Sequence, residues 1–313
     1  CYLPFDIKLC MNLFIDFFKP SVGLIFETEI WPMMLYQCKS KGVPLLLMNA
    51  RLSNKSLGRY LLFRNFTSNM LSKFEKICAQ SEADCTNFKK LTRNSVEVTG
   101  NTKFDFPISK KKLSLSRDLK KELNISNQIL VVAGSTRKGE EKVILDCFKN
   151  FKIENLILIL VPRHPQRFKE VENLIASMNF SFAKRSNFNK SNQPPPILLG
   201  DTMGELRSYY DLADLVILGG SIKDFGAQNP IEPISLGKPT IIGPSIYNFQ
   251  DVIKKAENHN LIYRLHNVKD LDSLVEKIIT LKQKAISRQN LKDFLKKESG
   301  ASQRLADIVN QYL

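Results

Sequence analysis

Short, continuous runs of apolar residues alternate with longer stretches of helical period along the whole chain. Residues 22–26, 44–48, 76–79 and 96–99 read as strands, with helical patterns over 31–41, 56–72 and 82–91 between them. Because strand and helix patterns alternate and the runs at 22–26 and 44–48 are continuously apolar, they predict a parallel sheet covered by helices on both faces. A polar, lysine-rich stretch at 107–127, with Pro107 and three lysines at 110–112, predicts an inter-domain linker plus a solvated helix. A second series follows, with strands at 129–133, 156–161, 181–184, 197–199, 215–218, 240–242 and 261–263. Residues 186–196 (SNFNKSNQPPP) read as a loop, since the triple proline forbids helix. Helical patterns at 270–283, 287–297 and 301–312 close the chain. The expected division is a first Rossmann-like domain at 1–106, a linker at 107–127, a second Rossmann-like domain at 128–298, and a C-terminal helix at 299–313 packing back on the first. The first half holds about four strands where a full Rossmann half has roughly six. The opening Cys1-Tyr2-Leu3-Pro4 has no initiator Met, so residue 1 reads as an internal point of a longer protein.

Composition narrows the function. Lysine and arginine number 46 against 31 acidic residues, a formal net charge of +15 over 313 residues. Such an excess reflects either a generally basic proteome or an anionic partner: nucleic acid, an acidic membrane surface or a phosphorylated substrate. The interleaved aromatic stacking motifs of RNA binders are absent, which argues against nucleic acid. Six scattered cysteines form no CxxC pair and only three histidines accompany them, so no metal site is expected and the thiols read as free. No apolar run approaches the roughly 18 residues of a membrane span.

In open α/β sheets ligands bind beyond the carboxyl ends of strands, so the residues after each strand carry the candidate chemistry. After 22–26 come Glu27 and Glu29 in Glu27-Thr28-Glu29-Ile30-Trp31-Pro32: active-site carboxylates, or caps for the next helix. From Arg51 to Lys73 the chain carries five basic residues, no acidic ones, and the aromatics Tyr60, Phe63 and Phe66. This is either a face for an anionic lipid surface or a solvated basic face. After 96–99, Gly100 permits a turn that projects Lys103 towards an interdomain cleft, where it would neutralise a carboxylate or phosphate, or it is a plain surface lysine. After 129–133, the turn Gly134-Ser135-Thr136-Arg137 opens a helix whose backbone N–H groups face an anion. Pro162-Arg163-His164-Pro165 fixes an arginine between prolines as a phosphate or base contact. Within Asp201-Thr202-Met203-Gly204-Glu205, Asp201 or Thr202 is an N-cap and the amides of Met203, Gly204 and Glu205 are candidates to read a base edge. The strongest constellation is Gly219-Gly220-Ser221, then Gly226-Ala227-Gln228-Asn229-Pro230-Ile231-Glu232, then Gly237-Lys238-Pro239. Its glycine pair lets backbone approach a phosphate, and Glu232 is placed to accept from both ribose hydroxyls. The competing reading of Asn229 and Glu232 is a capping box.

Taken together these motifs resemble the successive signatures of bacterial 3-deoxy-D-manno-octulosonic acid (Kdo) transferases. They include Asn49-Ala50-Arg51-Leu52-Ser53, Ala79-Gln80-Ser81-Glu82-Ala83-Asp84 and Thr99-Gly100-Asn101-Thr102-Lys103-Phe104-Asp105, and they occur in family order up to about residue 251. The resemblance implies an α/β fold of the GT-B type, with two Rossmann-like domains facing a cleft and the N-terminal domain incomplete here. It implies CMP-Kdo as donor, with no cofactor and no metal. The acceptor would be a bisphosphorylated lipid A precursor at the cytoplasmic face of the bacterial inner membrane, and transfer would invert the anomeric carbon. By motif match Pro162, Arg163, Met203, Gly204, Glu205, Asn229, Pro230, Ile231 and Glu232 would contact CMP, beside Ser135, Gly220 and Ser221. Glu27 and Lys103 would stabilise the transition state, with Glu29 beside them.

Two departures stand out. The family's general base lies in a Ser-Val-Gly-Glu-like motif that this sequence does not contain, so the chain alone is expected to bind donor and transfer poorly. Where the family often has Gly-Gly-His-Asn, this chain has Gly226-Ala227-Gln228-Asn229, which excludes a titrating group at 228. The competing readings are another GT-B enzyme, such as a UDP-sugar transferase or epimerase, and a non-catalytic basic membrane-binding fragment.

Overall fold

The structure, a computed structural model, describes residues 2–105, 110–188, 195–280 and 286–313, and of residues 110–115 only the backbone. The chain divides into two compact units, Cys1–Phe106 with Lys297–Leu313, and Pro107–Lys296. Residues 189–194 of the expected 186–196 loop and the end of the expected 270–283 helix lie outside the described residues.

The first unit runs α1 (Lys8–Phe18), β1 (Gly23–Phe26), α2 (Pro32–Ser40), β2 (Leu45–Ala50), α3 (Asn54–Leu62), α4 (Arg64–Leu71), β3 (Lys76–Ala79), α5 (Glu82–Lys89) and β4 (Ser95–Val98). Among the described residues its sheet has four strands in chain order, all parallel. α1 was not anticipated, although Met11 and Ile15, one turn apart, are its buried residues. The single helix expected at 56–72 is two helices that break at Phe63, where φ is −118° and ψ 43°. α2 has no cap from its own neighbours. Asp6 supplies one from a distance, accepting from Met34 N at 2.8 Å and Met33 N at 3.1 Å.

Alternation along β2 builds two cores. Leu45 and Leu47 pack with Leu35, Leu57 and Phe74, while Leu46 and Met48 face the other way onto Leu305 and Ile308. Those last two residues belong to the final helix of the chain, Ala301–Val309, which covers that face of the sheet. Asp105 fastens it, accepting from Gly300 N at 2.6 Å and Ser302 N at 2.5 Å, and Arg304 Nε donates to Thr99 O at 2.7 Å.

The second unit runs α6 (Lys110–Glu122), β5 (Ile129–Thr136), α7 (Glu140–Phe148), β6 (Leu156–Pro162), α8 (Phe168–Ser177), β7 (Phe182–Lys184), β8 (Ile197–Leu199), α9 (Leu206–Leu212), β9 (Leu215–Leu218), α10 (Ile231–Ser235), β10 (Thr240–Ile242), α11 (Gln250–Asn258), β11 (Tyr263–Arg264), α12 (Leu271–Thr280) and α13 (Arg288–Glu298). The final helix of the chain is therefore α14. Among the described residues the sheet of this unit has seven strands in the order β11-β10-β9-β5-β6-β8-β7, all parallel. One face of β5 and β6 packs Val131, Ala133, Leu158 and Leu160 against Ile144, Val171 and Val275 of α7, α8 and α12. The opposite face packs Val132, Ile157 and Ile159 against Tyr209, Tyr210, Leu119 and Leu123. The stretch read as linker and solvated helix thus contributes Leu119, Leu123 and Ile125 to the core, because its apolar residues recur at helical spacing. From β5 the chain moves one way to β6 and the edge strand β7, comes back to β8 between them, and then crosses to β9 on the other flank of β5. The switch point of the topology therefore lies between the carboxyl ends of β5 and β9, where α/β sheets hold their ligands. No helix among the described residues is long and apolar enough to cross a membrane.

Removing the remote cap of α14 strips that helix of both hydrogen bonds to Asp105. Asp105→Ala is expected to lower the unfolding free energy by about 1–2 kcal/mol, read from the urea midpoint at unchanged slope; an unmoved midpoint would show that α14 is held without it.

Candidate functional site

In the first unit the functional candidates gather at the strand ends. Glu27 directly follows β1 in the left-handed region, with φ 57°, held there by its N–H donating to Met48 O at 3.0 Å. A non-glycine residue in that region is strained, so the fold over-determines this position. Its Oε1 accepts from Lys103 Nζ at 3.2 Å. Both side chains remain partly exposed, so the pair adds little stability. Lys103 stands on a single 3₁₀ turn, Thr102–Phe104, not on the strand itself. Three carboxamides build that turn. Asn101 Oδ1 accepts from Lys103 N at 3.0 Å, Asn49 Oδ1 from Thr102 N at 3.2 Å, and Gln80 Oε1 from Asn101 Nδ2 at 3.0 Å. Gln80 Nε2 closes the chain on Asn49 O at 2.8 Å. The signal in the sequence is a carboxamide at or just past the ends of β2, β3 and β4: Asn49, Gln80 and Asn101. Glu29 turns to its own loop instead, its Oε2 accepting from the Trp31 indole at 3.0 Å.

In the second unit Ser135, Arg163, Gln228 and Glu232 come together around the switch point. β6 ends at Pro162, whose register partner is Thr136, and Arg163 N donates to Thr136 O at 3.0 Å. Arg163 Nε donates to Gln228 Oε1 at 3.2 Å. Arg137 lies over the Phe225 ring at 4.9 Å, with Nη1 2.8 Å from His164 Nε2. Slight burial and the cations Arg137, Arg163 and Arg167 hold the His164 pKa below the ordinary histidine value, so the ring is neutral and accepts from Arg137. Arg167 is neutralised by Glu141 at 2.6 Å. Arg137 and Arg163 have no acidic partner among the described residues.

Glu232 sits in the five-residue α10. Asn229 Oδ1 accepts from Ile231 N at 3.2 Å and its Nδ2 lies 3.4 Å from Glu232 Oε1, so part of the capping arrangement is present. Behind Ser135 stands Tyr210, fully buried; burial first, then the Glu232 charge, push its phenol far up. A Cβ at Gly134 would lie 2.2 Å from the Tyr210 hydroxyl, which is why glycine is required there.

The glycine turn after β9 is folded onto itself. Ala227 N donates to Gly220 O at 2.6 Å and Gln228 N to Gly219 O at 2.9 Å, with Gly220, Gly226 and Ala227 all at positive φ. Two residues read as donor contacts here point inward. The Gly220 amide donates to Glu140 Oε2 at 2.7 Å. Ser221 has 0% exposure; its hydroxyl donates to Leu218 O and accepts from Gly243 N at 2.9 Å. Both groups are thus saturated within the protein, because the turn must bury its backbone between β5, β9 and β10. Glu140, which the sequence reading passed over, is the residue that organises this region. Burial raises its carboxyl pKa, opposed by hydrogen bonds from Gly220, Arg137, Lys223 and Ile222.

Met203, Gly204 and Glu205 form a separate turn after β8. Met203 is 68% exposed and Gly204 has φ 86°. Burial would raise the Glu205 pKa, but hydrogen bonds from Thr202, Arg185 and Tyr209 hold it below the usual carboxylate value. Arg185 Nη2 reaches Glu205 Oε1 at 2.9 Å and Glu122 Oε2 at 2.7 Å. Glu205 is itself the N-cap position of α9. Asp201, read as a cap, accepts instead from Ser186 N at 2.9 Å and Ser186 Oγ at 2.7 Å. Among the described residues no group of three or more His, Cys, Asp or Glu side chains is arranged to hold a metal ion.

Comparison with known proteins gives this geometry a context. Residues 1–106 match the family model of 3-deoxy-D-manno-octulosonic-acid transferase (kdotransferase). The chain is 32% identical over 324 residues to the 3-deoxy-D-manno-octulosonic acid transferase of Haemophilus influenzae, covering 100% of this chain and 74% of that protein. Among solved structures it is similar to the C-terminal CMP-Kdo binding domain of WaaA from Acinetobacter baumannii, at 25% identity and a TM-score of 0.54, covering 60% of this chain and 99% of the other. The fold is shared with UDP-GlcNAc 2-epimerase from Neisseria meningitidis, at 14% identity and a TM-score of 0.61, covering 97% of this chain and 80% of that one.

Proposed function

Because the chain belongs to the 3-deoxy-D-manno-octulosonic acid transferase family of glycosyltransferases, we propose that it moves Kdo from CMP-Kdo to a bisphosphorylated lipid A precursor, without a metal and with inversion at the anomeric carbon. The observation that carries the donor half is the pair Arg137 and Arg163, cations without acidic partners among the described residues, on the turns that follow β5 and β6 at the switch point. In this reading the arginines hold the phosphate and neutralise it as it departs. Glu232 accepts from the ribose hydroxyls, Asn229, Pro230 and Ile231 shape that contact, and the Met203–Glu205 turn meets the base. The bond from the anomeric carbon to the phosphate oxygen breaks while an acceptor hydroxyl adds to the opposite face and gives up its proton to a base. That base belongs to the family's Ser-Val-Gly-Glu-like motif, which is absent from this sequence. Lys103 neutralises the sugar carboxylate or an acceptor phosphate, and Glu27 faces the positive charge that develops on the sugar. Glu29, tied to Trp31, orients the acceptor.

The acceptor side draws on the α3–α4 elbow. Leu62, Phe63 and Phe66 are 78%, 70% and 58% exposed, in a run whose charges are all basic. Exposed aromatics beside arginines suit the headgroup region of an anionic bilayer. We place the protein peripherally at the cytoplasmic face of the inner membrane by this contact.

Calorimetric titration is expected to show CMP binding more tightly than UMP, with Glu232→Gln weakening CMP by about tenfold; equal affinities for the two nucleotides would favour a UDP-sugar enzyme of the same fold. In a transfer assay with the complete enzyme, Lys103→Met is expected to lower kcat by about 10²-fold, and an unchanged rate would remove Lys103 from the reaction. Vesicles carrying anionic phospholipid should retain the protein and release a Phe63→Ser, Phe66→Ser variant, while zwitterionic vesicles retain neither; equal retention of variant and wild type would exclude the elbow.

A further inference from the structure

Glu140 is the first residue of α7, at the switch point, and its side chain has 0% exposure. Oε2 accepts from Gly220 N at 2.7 Å and Arg137 N at 2.8 Å, and Oε1 accepts from Ile222 N at 2.9 Å and Lys223 N at 3.1 Å. The turn after β5 and the turn after β9 thus converge their backbone N–H groups on one carboxylate. In doubly wound sheets this is where a glycine-rich turn and a helix N-terminus gather amides around the phosphates of a nucleotide. Here a side chain of the protein holds the position of the anion.

We propose that Glu140 is a specificity-determining residue that admits a nucleotide bearing one phosphate and rejects one bearing two. The inference rests on the reading of the second unit as the donor site. Its physical basis is twofold. The four N–H groups are already satisfied at hydrogen-bonding distance, so a second phosphate finds no free amide in the cradle. Such a phosphate would also meet a buried carboxylate, and like charges in a poorly solvated site repel strongly. Space does not relieve this, because the two turns already touch: a Cβ on Gly219 would lie 2.2 Å from Ser135 O. Arg137, held against His164, and Arg163, held against Gln228, are arginines left on the neighbouring turns to meet a phosphate.

Glu140→Gln keeps the shape of the side chain but presents an NH₂ to two of the four amides. Those amides lose their acceptor and the resident charge disappears, so a second phosphate gains partners. A purely structural brace would lower the affinity for every nucleotide in proportion. The ratio of affinities therefore separates the two roles.

The experiment is calorimetric titration of the intact protein and of Glu140→Gln with CMP and with CDP, with thermal unfolding to check the fold of the variant. We expect the wild type to bind CMP at least tenfold more tightly than CDP, and the variant to narrow that ratio severalfold. An unchanged ratio in a folded variant that still binds CMP overturns the role of Glu140 and leaves the donor reading standing. If the variant does not fold, the wild type decides: CDP bound as tightly as CMP overturns the proposal, and a tenfold preference for CMP supports it. Failure of the wild type to bind CMP at all overturns the donor reading and this inference with it.

Discussion

All strands within each sheet run parallel, so every turn that leaves a strand at its carboxyl end emerges on the same edge of its unit. That geometric constraint is what turns scattered motifs into sites. Glu27, Asn49, Gln80 and Asn101 come from four separate segments of the first unit, yet they form one hydrogen-bonded edge that carries Lys103. In the second unit the same rule brings the ends of β5, β6 and β9 together. The reversal of strand order between β5 and β9 then opens the crevice where a ligand fits.

Backbone satisfaction organises the second unit more than charge does. The turn after β9 carries several residues at positive φ and buries its peptide groups against neighbouring strand ends. Those groups need acceptors, and Glu140 supplies them at the cost of its own desolvation. Charge is left at the margin, where Arg137 and Arg163 lack acidic partners among the described residues while Arg167 and Arg185 are locked to glutamates. The division separates arginines that hold the fold from arginines free to meet an anion. The formal charge of +15 alone could not draw that line.

The fold class was legible in the sequence because the central parallel strands are largely apolar runs, and strands such as 215–218 and 240–242 needed no adjustment. Boundaries shifted where backbone geometry intervened. β2 continues through Asn49 and Ala50 across an irregularity in register, and the helix expected at 56–72 breaks at Phe63. α1 exposes Leu9, Leu13 and Phe17, which blurs the polar stripe of Lys8, Asn12 and Asp16.

The candidate residues divide in the same way. Sequence alone placed Glu27 and Arg163 directly after strands, where the structure has them following β1 and β6, whereas Lys103 stands on a 3₁₀ turn and Glu232 in α10. Only the tertiary structure decided that Ser221 and the Gly220 amide face inward, that Glu29 holds Trp31, and that Glu140 fills the cradle. Sequence records which groups are available at each strand end. Which of them are consumed by neighbours 80 residues away, as Gly220 is by Glu140, depends on contacts that exist only once the sheet has closed.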